Sequence, residues 1–185
     1  VYRDGAGAIT KLAMPYLAHN LRQWDVTSAA RVAHYVANSN HVSARIKKYL
    51  RRDADVVHPP VAVSDFAPVS PDEREDFYLL AGELAPYKKP DHAVEAFRQL
   101  DKPLVVIGGP QETADRLKRM AGPKTRFLGS VPFDVLKAHM ARCRALIFPG
   151  EEDFGIVPVE VMASGRPNIA YGRGGVRVTV GDGQE

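Results

Sequence analysis

The stretch ALIFPGEEDFGIVPVEVMASG, residues 145–165, carries the clearest signal in the chain for both fold and function. Its first five residues are mostly apolar and predict a buried strand, and residues 157–164 predict a short helix that ends at a glycine. A strand that leads through a loop into a helix is a repeating unit of open parallel sheets. In such sheets ligands bind beyond the carboxyl ends of the strands, which is where this loop lies.

The same alternation continues on both sides of this stretch. Strands that alternate with helices of about ten residues predict parallel βαβ units and a doubly wound α/β sheet. We predict strands at 77–81, 103–107, 125–128, 145–149 and 167–171, and helices at 90–100, 112–121, 133–143 and 157–164.

A smaller α/β unit is expected in front of this sheet. The run 59–76 is rich in proline, serine and acidic residues, which is typical of a linker, and we place the boundary there. Upstream, residues 8–23 predict a helix interrupted at Pro15, and residues 25–28 predict the cap of a second short helix. Two strands, at 34–37 and 55–58, flank a helix that begins after Asn38-Ser39-Asn40 and ends near Arg52.

The composition excludes several classes of protein. The chain has 185 residues, 45% of them hydrophobic, and a net charge of +3, which is too small to indicate nucleic-acid binding. Its single cysteine, Cys143, excludes an internal disulfide, and its apolar surroundings favour a core position over a nucleophile. The chain begins without methionine, and no helix follows to cover its last strand, so we expect it to be cut from a longer protein.

Two carboxylates flank the loop in the opening stretch, Glu152 and Glu160. Pro158 is well placed near a helix N-terminus, which would put Glu160 in the first turn and Glu152 in the preceding loop. An ionised carboxylate only accepts hydrogen bonds, so it suits a vicinal diol, which offers two donors. Two such groups indicate two hydroxylated rings, such as a sugar and a ribose. The alternative, that these acids only favour the helix dipole, fits the spacing equally well.

Glycine turns occur after two other predicted strands at the same edge of the sheet. Gly82 opens a turn that leads through Lys88 to the helix at 90–100, a pattern that predicts an anion site. The pair Gly174-Gly175 follows the last strand and is able to cradle a phosphate or a sugar with its backbone N–H groups. Taken alone, a lysine in such a turn more often marks a solvated surface loop, and a double glycine is weak evidence.

Three segments, GELAPYKKPDHAVEAF, FLGSV and IFPGEEDFGIVPVEVMASGRPNIAYGRGG, occur in this order and at compatible spacing. Together they resemble the C-terminal half of group-one retaining glycosyltransferases of the GT-B fold, especially the bacterial mannosyltransferase-like branch used in polysaccharide assembly. The resemblance spans residues 20–180. It implies that residues 1–58 are the tail end of an N-terminal, acceptor-binding domain. Residues 77–185 would then form the Rossmann-like domain that binds the nucleotide sugar.

The resemblance also implies roles for individual residues. Glu152 would bind hydroxyls of the donor sugar, Glu160 the ribose, and Lys88 would neutralise the diphosphate. GDP-mannose is the favoured donor, a saccharide or lipid-linked saccharide is the acceptor, and neither a metal nor a cofactor is expected. The remaining candidates for substrate binding are Phe154, Gly155 and Ile156 on the donor, Ser130 and Val131 at the base, and the turn glycines Gly82, Gly174 and Gly175.

The chain departs from the family pattern at two places. Glu83 stands where the family often has an arginine, and Arg177-Val178 stands where a glutamate is usual. The alternative hypothesis is therefore a non-catalytic nucleotide-sugar-binding domain, with a phosphorylase or an epimerase less favoured. We expect a cytoplasmic protein that binds no nucleic acid. The basic helix 45–52 is compatible with peripheral contact with the inner membrane, although a solvated helix face explains it more simply.

Overall fold

The computed structural model describes residues 7–180, and the side chains of residues 8–11 lie outside this description. The chain divides into two compact units between His58 and Pro59. The first unit contains helix α1 (Ala8–Ala29), strand β1 (Val36–Ala37), helix α2 (Asn40–Leu50) and strand β2 (Asp55–Val56). The two strands pair in parallel. Ser39 caps α2 as predicted, because its hydroxyl accepts the Val42 N–H at 3.2 Å.

Helix α1 differs from the prediction, because it runs without a break through Pro15 and on to Ala29. The loss of one hydrogen bond at a proline does not end a helix of 22 residues. The hydroxyls expected to cap a second helix bond backwards instead. Thr27 Oγ1 donates to the Gln23 carbonyl at 2.9 Å, and Ser28 Oγ donates to the Asp25 carbonyl at 2.9 Å. The predicted second helix is therefore wrong.

The second unit alternates strands and helices as predicted. Residues 59–76, predicted as a linker, belong to this unit and contain two 3-10 turns, Val63–Asp65 and Pro71–Glu73, and the buried Phe66. The regular elements that follow are β3 (Tyr78–Ala81), α3 (Pro90–Leu100), β4 (Leu104–Ile107), α4 (Gln111–Lys118), β5 (Thr125–Gly129), α5 (Phe133–Arg142), β6 (Leu146–Phe148), α6 (Ile156–Ala163), β7 (Asn168–Ala170) and α7 (Val176–Thr179).

All five strands of this unit are parallel and lie in the order β5-β4-β3-β6-β7. Side chains of β3 and β4 alternate between two apolar layers, one on each face of the sheet. Leu79 packs with residues of α5, α6 and α7, whereas Leu80 packs with residues of α3 and α4. Helices therefore cover both faces, and the predicted doubly wound α/β sheet is confirmed.

The strand order contains one reversal. From β3 the chain adds β4 and then β5 on one side, and then returns to add β6 and β7 on the other side of β3. In open α/β sheets such a reversal creates a crevice between the loops that leave the two neighbouring strands. Here these are the loops after β3 and β6, which contain Lys88 and Glu152.

Candidate functional site

Lys88 and Glu152 meet at the reversal point of the sheet. The Lys88 ammonium lies 2.9 Å from Glu152 Oε1, and the two side chains are 26% and 22% exposed. Glu152 Oε1 is itself buried and forms no hydrogen bond with any residue that the structure describes. The carboxylate is thus held by charge attraction, with acceptor capacity that the protein leaves unused. The Lys88 ammonium compensates the charge of this buried oxygen, and the carboxylate can still accept hydrogen bonds from a ligand.

The backbone of Lys88 is fixed by close contact with the end of β6. The loop after β3 ends in a 3-10 turn, Pro86–Lys88, and Gly150 lies directly against it. A Cβ added to Gly150 would lie 2.8 Å from the Lys88 Cα, which is closer than real Cβ atoms approach. The absence of a side chain at Gly150 therefore allows the two loops to touch.

The loop that carries Glu152 is fixed on its other side by Gly174 and Gly175. Glu152 and Gly174 form a parallel bridge, and the Gly175 N–H donates to the Glu152 carbonyl at 2.7 Å. A Cβ on Gly174 would lie 2.5 Å from that carbonyl oxygen, and one on Gly175 would lie 2.5 Å from the Phe154 Cα. Close packing thus explains both glycines independently of any ligand, and the Gly175 N–H is engaged by the protein.

Helix α6 begins directly after this loop. Phe154 is buried, Gly155 adopts φ +90 before the first helical turn, and Ile156 remains 43% exposed. Glu160 lies in the second turn, because the helix begins at Ile156, so its predicted place in the first turn is wrong. Burial raises the pKa of the Glu160 carboxyl.

The remaining predicted site residues lie apart from this pair. The Gly82 N–H donates to the Ile107 carbonyl at 3.0 Å and so extends the sheet. Ser130, which is exposed, and Val131, which packs partly against the core, follow β5. Because β4 lies between β5 and β3, the structure does not bring these two residues into contact with Lys88 or Glu152.

Three residues to which the sequence assigned no individual role lie at the same edge. Lys89 adopts φ +52, a left-handed conformation that is uncommon for a lysine. Its ammonium lies 4.8 Å from the centre of the Tyr171 ring, and the Arg173 guanidinium lies 5.7 Å from that same ring. No sequence signal indicates this contact, because the residue before a proline is normally extended.

Within residues 7–180 there is no group of three or more histidine, cysteine and acidic side chains arranged to hold a metal ion. No helix in that same range combines the length and apolar character needed to cross a membrane. Cys143 is buried, and burial raises the pKa of its thiol to about 11, so its predicted core position is confirmed.

Comparison with known proteins agrees with the geometry. Residues 64–185 match the family described as glycosyl transferases group 1. The chain belongs to this family. Among relatives of this group, the O-antigen chain mannosyltransferase RfbU of Salmonella typhimurium is 30% identical over 157 residues, which cover 77% of this chain and 43% of that protein.

A second relative, the D-inositol 3-phosphate glycosyltransferase of Frankia alni, is 30% identical over 157 residues, with 70% of this chain and 39% of that protein covered. The chain therefore spans less than half the length of these curated glycosyltransferases.

Solved structures share the fold. Anabaena HepE in complex with UDP and glucose matches with a TM-score of 0.74 at 20% identity, over 88% of this chain and 51% of that one. Sucrose-phosphate synthase from Thermosynechococcus elongatus matches with a TM-score of 0.73 at 20% identity, over 87% and 46%. The Rossmann-like arrangement of the GT-B glycosyltransferases, expected from the resemblance, is confirmed.

Proposed function

We propose that this chain is the donor-binding part of a retaining glycosyltransferase that uses a nucleoside-diphosphate sugar, with GDP-mannose the favoured donor. The observation that carries the proposal is the Lys88–Glu152 ion pair at the reversal point of the sheet. A sugar bound to a diphosphate presents hydroxyl donors beside negative charge. The pair offers a carboxylate acceptor beside an ammonium, which is the complementary arrangement.

In this proposal each member of the pair has one role. Lys88 neutralises the diphosphate and stabilises the negative charge that develops as the nucleoside diphosphate departs. Glu152 accepts hydrogen bonds from sugar hydroxyls and so orients the ring. It does not attack the anomeric carbon, since its oxygens are occupied by these bonds. Glu160, in the second turn of α6, accepts the ribose hydroxyls.

The acceptor is proposed as a saccharide or a lipid-linked saccharide, in line with the RfbU relative, an O-antigen chain mannosyltransferase. Contact between the basic residues of the segment 45–52 and a membrane has less support. Arg52 donates to the Val32 carbonyl at 3.0 Å, and Lys47 pairs with Asp53 at 2.5 Å, so both cations already have partners within the first unit.

Two variants in the complete protein test the proposal. Glu152→Gln keeps the shape but loses charge, so transfer from GDP-mannose should fall about a hundredfold. The affinity for GDP without sugar should hold or rise, because Lys88 is released from its partner. Lys88→Met should weaken GDP binding itself by about tenfold or more. UDP-glucose is tested in parallel, since a HepE structure contains UDP and glucose.

The matched control for the charge change is Glu75→Gln, at the opposite end of the same sheet, where Arg142 lies 3.7 Å from the carboxylate. This variant should transfer sugar at the rate of the unmodified protein. Full turnover by Glu152→Gln would contradict the assignment of the site.

A second candidate function is a non-catalytic domain that binds nucleotide sugars. The observation that favours it is Glu83, which places an exposed carboxylate in the loop of Lys88, where a second cation would be expected. Binding of GDP-mannose without any release of GDP in the presence of acceptor would select this alternative.

A further inference from the structure

The proposed diphosphate site needs more positive charge than Lys88 alone supplies. Glu83 places an exposed carboxylate in the loop that carries Lys88, so an anion and a cation share this loop. A nucleoside diphosphate carries more negative charge than Lys88 alone neutralises, and Lys88 is already paired with Glu152. Further cations near the same crevice are therefore needed.

We propose that Lys89, Tyr171 and Arg173 form a second diphosphate-binding element, here called the Tyr171 cluster, which compensates for Glu83. The inference rests on the proposed function, because it assigns further residues to the same donor site. The ammonium of Lys89 lies 4.8 Å, and the guanidinium of Arg173 5.7 Å, from the centre of one aromatic ring. Neither cation forms an ion pair with any residue in the described part of the chain.

The position of the cluster follows from the sheet. Lys89 directly follows Lys88, and Tyr171 and Arg173 lie in the turn after β7, the neighbour of β6. The Tyr171 N–H donates to the Phe148 carbonyl at 2.9 Å, which ties the ring to the end of the strand that leads to Glu152. The turn containing Arg173 continues into Gly174, which bridges to Glu152 itself. The backbone of the cluster is thus tied to the loops that carry Lys88 and Glu152.

Two features of the cluster are unfavourable without a ligand. Lys89 adopts φ +52, where glycine is preferred and a lysine is strained. Two cations on one ring also repel each other, and no described acidic side chain pairs with either of them. A bound diphosphate would remove the second cost, because its oxygens accept from both cations. Strain of this kind is commonly retained where it serves binding.

A purely structural explanation is that the contact between Lys89 and Tyr171 holds the loop against the sheet. The two explanations make opposite predictions for Lys89→Gly. If the lysine serves binding, the variant should melt at the same temperature or a few degrees higher, because glycine removes the strain. If the contact is structural, the melting temperature should fall.

Affinities for GDP, UDP and inorganic pyrophosphate are measured by calorimetry in the complete protein, for Lys89→Gly, Arg173→Gln and the control Lys124→Gln. The first two variants should each bind these diphosphates about tenfold more weakly. Binding of GMP and UMP should change by less than about threefold, since they lack the second phosphate. Lys124→Gln, which removes a cation at the opposite end of the sheet, should bind as the unmodified protein does.

Unchanged diphosphate affinity in both Lys89→Gly and Arg173→Gln would overturn the inference. A lowered melting temperature together with unchanged affinity in Lys89→Gly would overturn it in favour of the structural explanation. Lys88→Met distinguishes failure of the inference from failure of the proposed function. If this variant weakens GDP binding while the cluster variants do not, the proposed function stands and only the inference fails. If the unmodified protein binds no diphosphate, both fail.

Discussion

The two ends of the five-stranded sheet differ in how far their ion pairs are exposed and hydrogen-bonded. At the amino ends of β3 and β6, Arg144 pairs with Asp76 at 2.7 Å, and both side chains are more than half exposed. At the carboxyl ends of the same strands, Lys88 and Glu152 are about a quarter exposed, and Glu152 Oε1 forms no hydrogen bond with a described residue. The first pair is hydrogen-bonded and open to solvent, whereas the second is largely shielded and keeps capacity for a ligand.

The two ends also differ in how closely their backbone segments pack. The loops at the carboxyl ends approach so closely that Gly150, Gly174 and Gly175 leave no room for a side chain. A site that has to hold a carboxylate and an ammonium in one orientation needs such supported loops. The comparison teaches that the proposed functional end differs from the other end in its unmet polar capacity on a tightly packed backbone, and not in the number of its charges.

The largest effect is expected from a substitution that disrupts the packing at the carboxyl end. Gly175→Ala would force a Cβ to within 2.5 Å of the Phe154 Cα, so we expect a loss of about 2–3 kcal/mol in the free energy of unfolding. Gly172→Ala is the matched control, because a Cβ there meets nothing within 4 Å, and its effect should stay within about 0.5 kcal/mol. Urea unfolding of both variants checks this, and equal stabilities would contradict the packing account.

A smaller effect concerns the charge on Glu160. Burial raises its pKa, so the folded protein binds this proton more tightly than the unfolded chain does. Its contribution to stability therefore decreases as the pH rises through the interval between its ordinary and its raised pKa. Glu160→Gln should consequently be slightly more stable at pH 7 than the unmodified protein.

Donor binding should depend on the charge of Glu160 with the opposite sign, and so should weaken as the pH falls. In the proposed function Glu160 accepts two ribose hydroxyls as an ionised carboxylate, so donor affinity should fall a few-fold as the pH is lowered through the raised pKa. Titrations with GDP-mannose between pH 7.5 and 5 measure this. In Glu160→Gln this part of the pH dependence should disappear; if the variant keeps the full pH dependence, Glu160 is not the group that titrates.

The smallest effect is expected at the amino end. Arg144→Met removes the exposed partner of Asp76, and we expect a change in the free energy of unfolding below about 1 kcal/mol with transfer activity unaltered. A loss of activity in this variant would remove the contrast between the two ends. Unfolding curves and transfer rates measured side by side decide the matter.

Much of the second unit could be predicted from the sequence, because its signals are local. The strand at 145–149, the helix after Pro90 and the turn glycines each follow from periodicity and turn chemistry, and the structure places them within a few residues. The prediction for α1 was wrong at Pro15. A proline in the sequence indicates a break, but it does not show whether the remaining hydrogen bonds of the helix outweigh the one that is lost.

The site could be predicted only in part. Both members of the Lys88–Glu152 pair were identified, but their contact depends on the reversal of strand order, which joins loops from β3 and β6. The contacts of the Tyr171 cluster could not be predicted, because they depend on the left-handed backbone of Lys89 in front of a proline and on the neighbouring turn after β7. Long-range pairing and unusual dihedrals are properties of the folded chain that no local pattern encodes.

The strand order also has a consequence for synthesis. The first strand of the second unit, β3, ends up at the centre of its sheet, with β4 on one edge and β6 on the other. A ribosome adds roughly 5–20 residues per second, so the second edge of β3 stays unpaired for seconds, until β6 emerges. During that interval the nascent chain presents an apolar strand edge, the kind of surface on which other chains can pair. A ribosome that stalls before residue 146 would prolong this exposure.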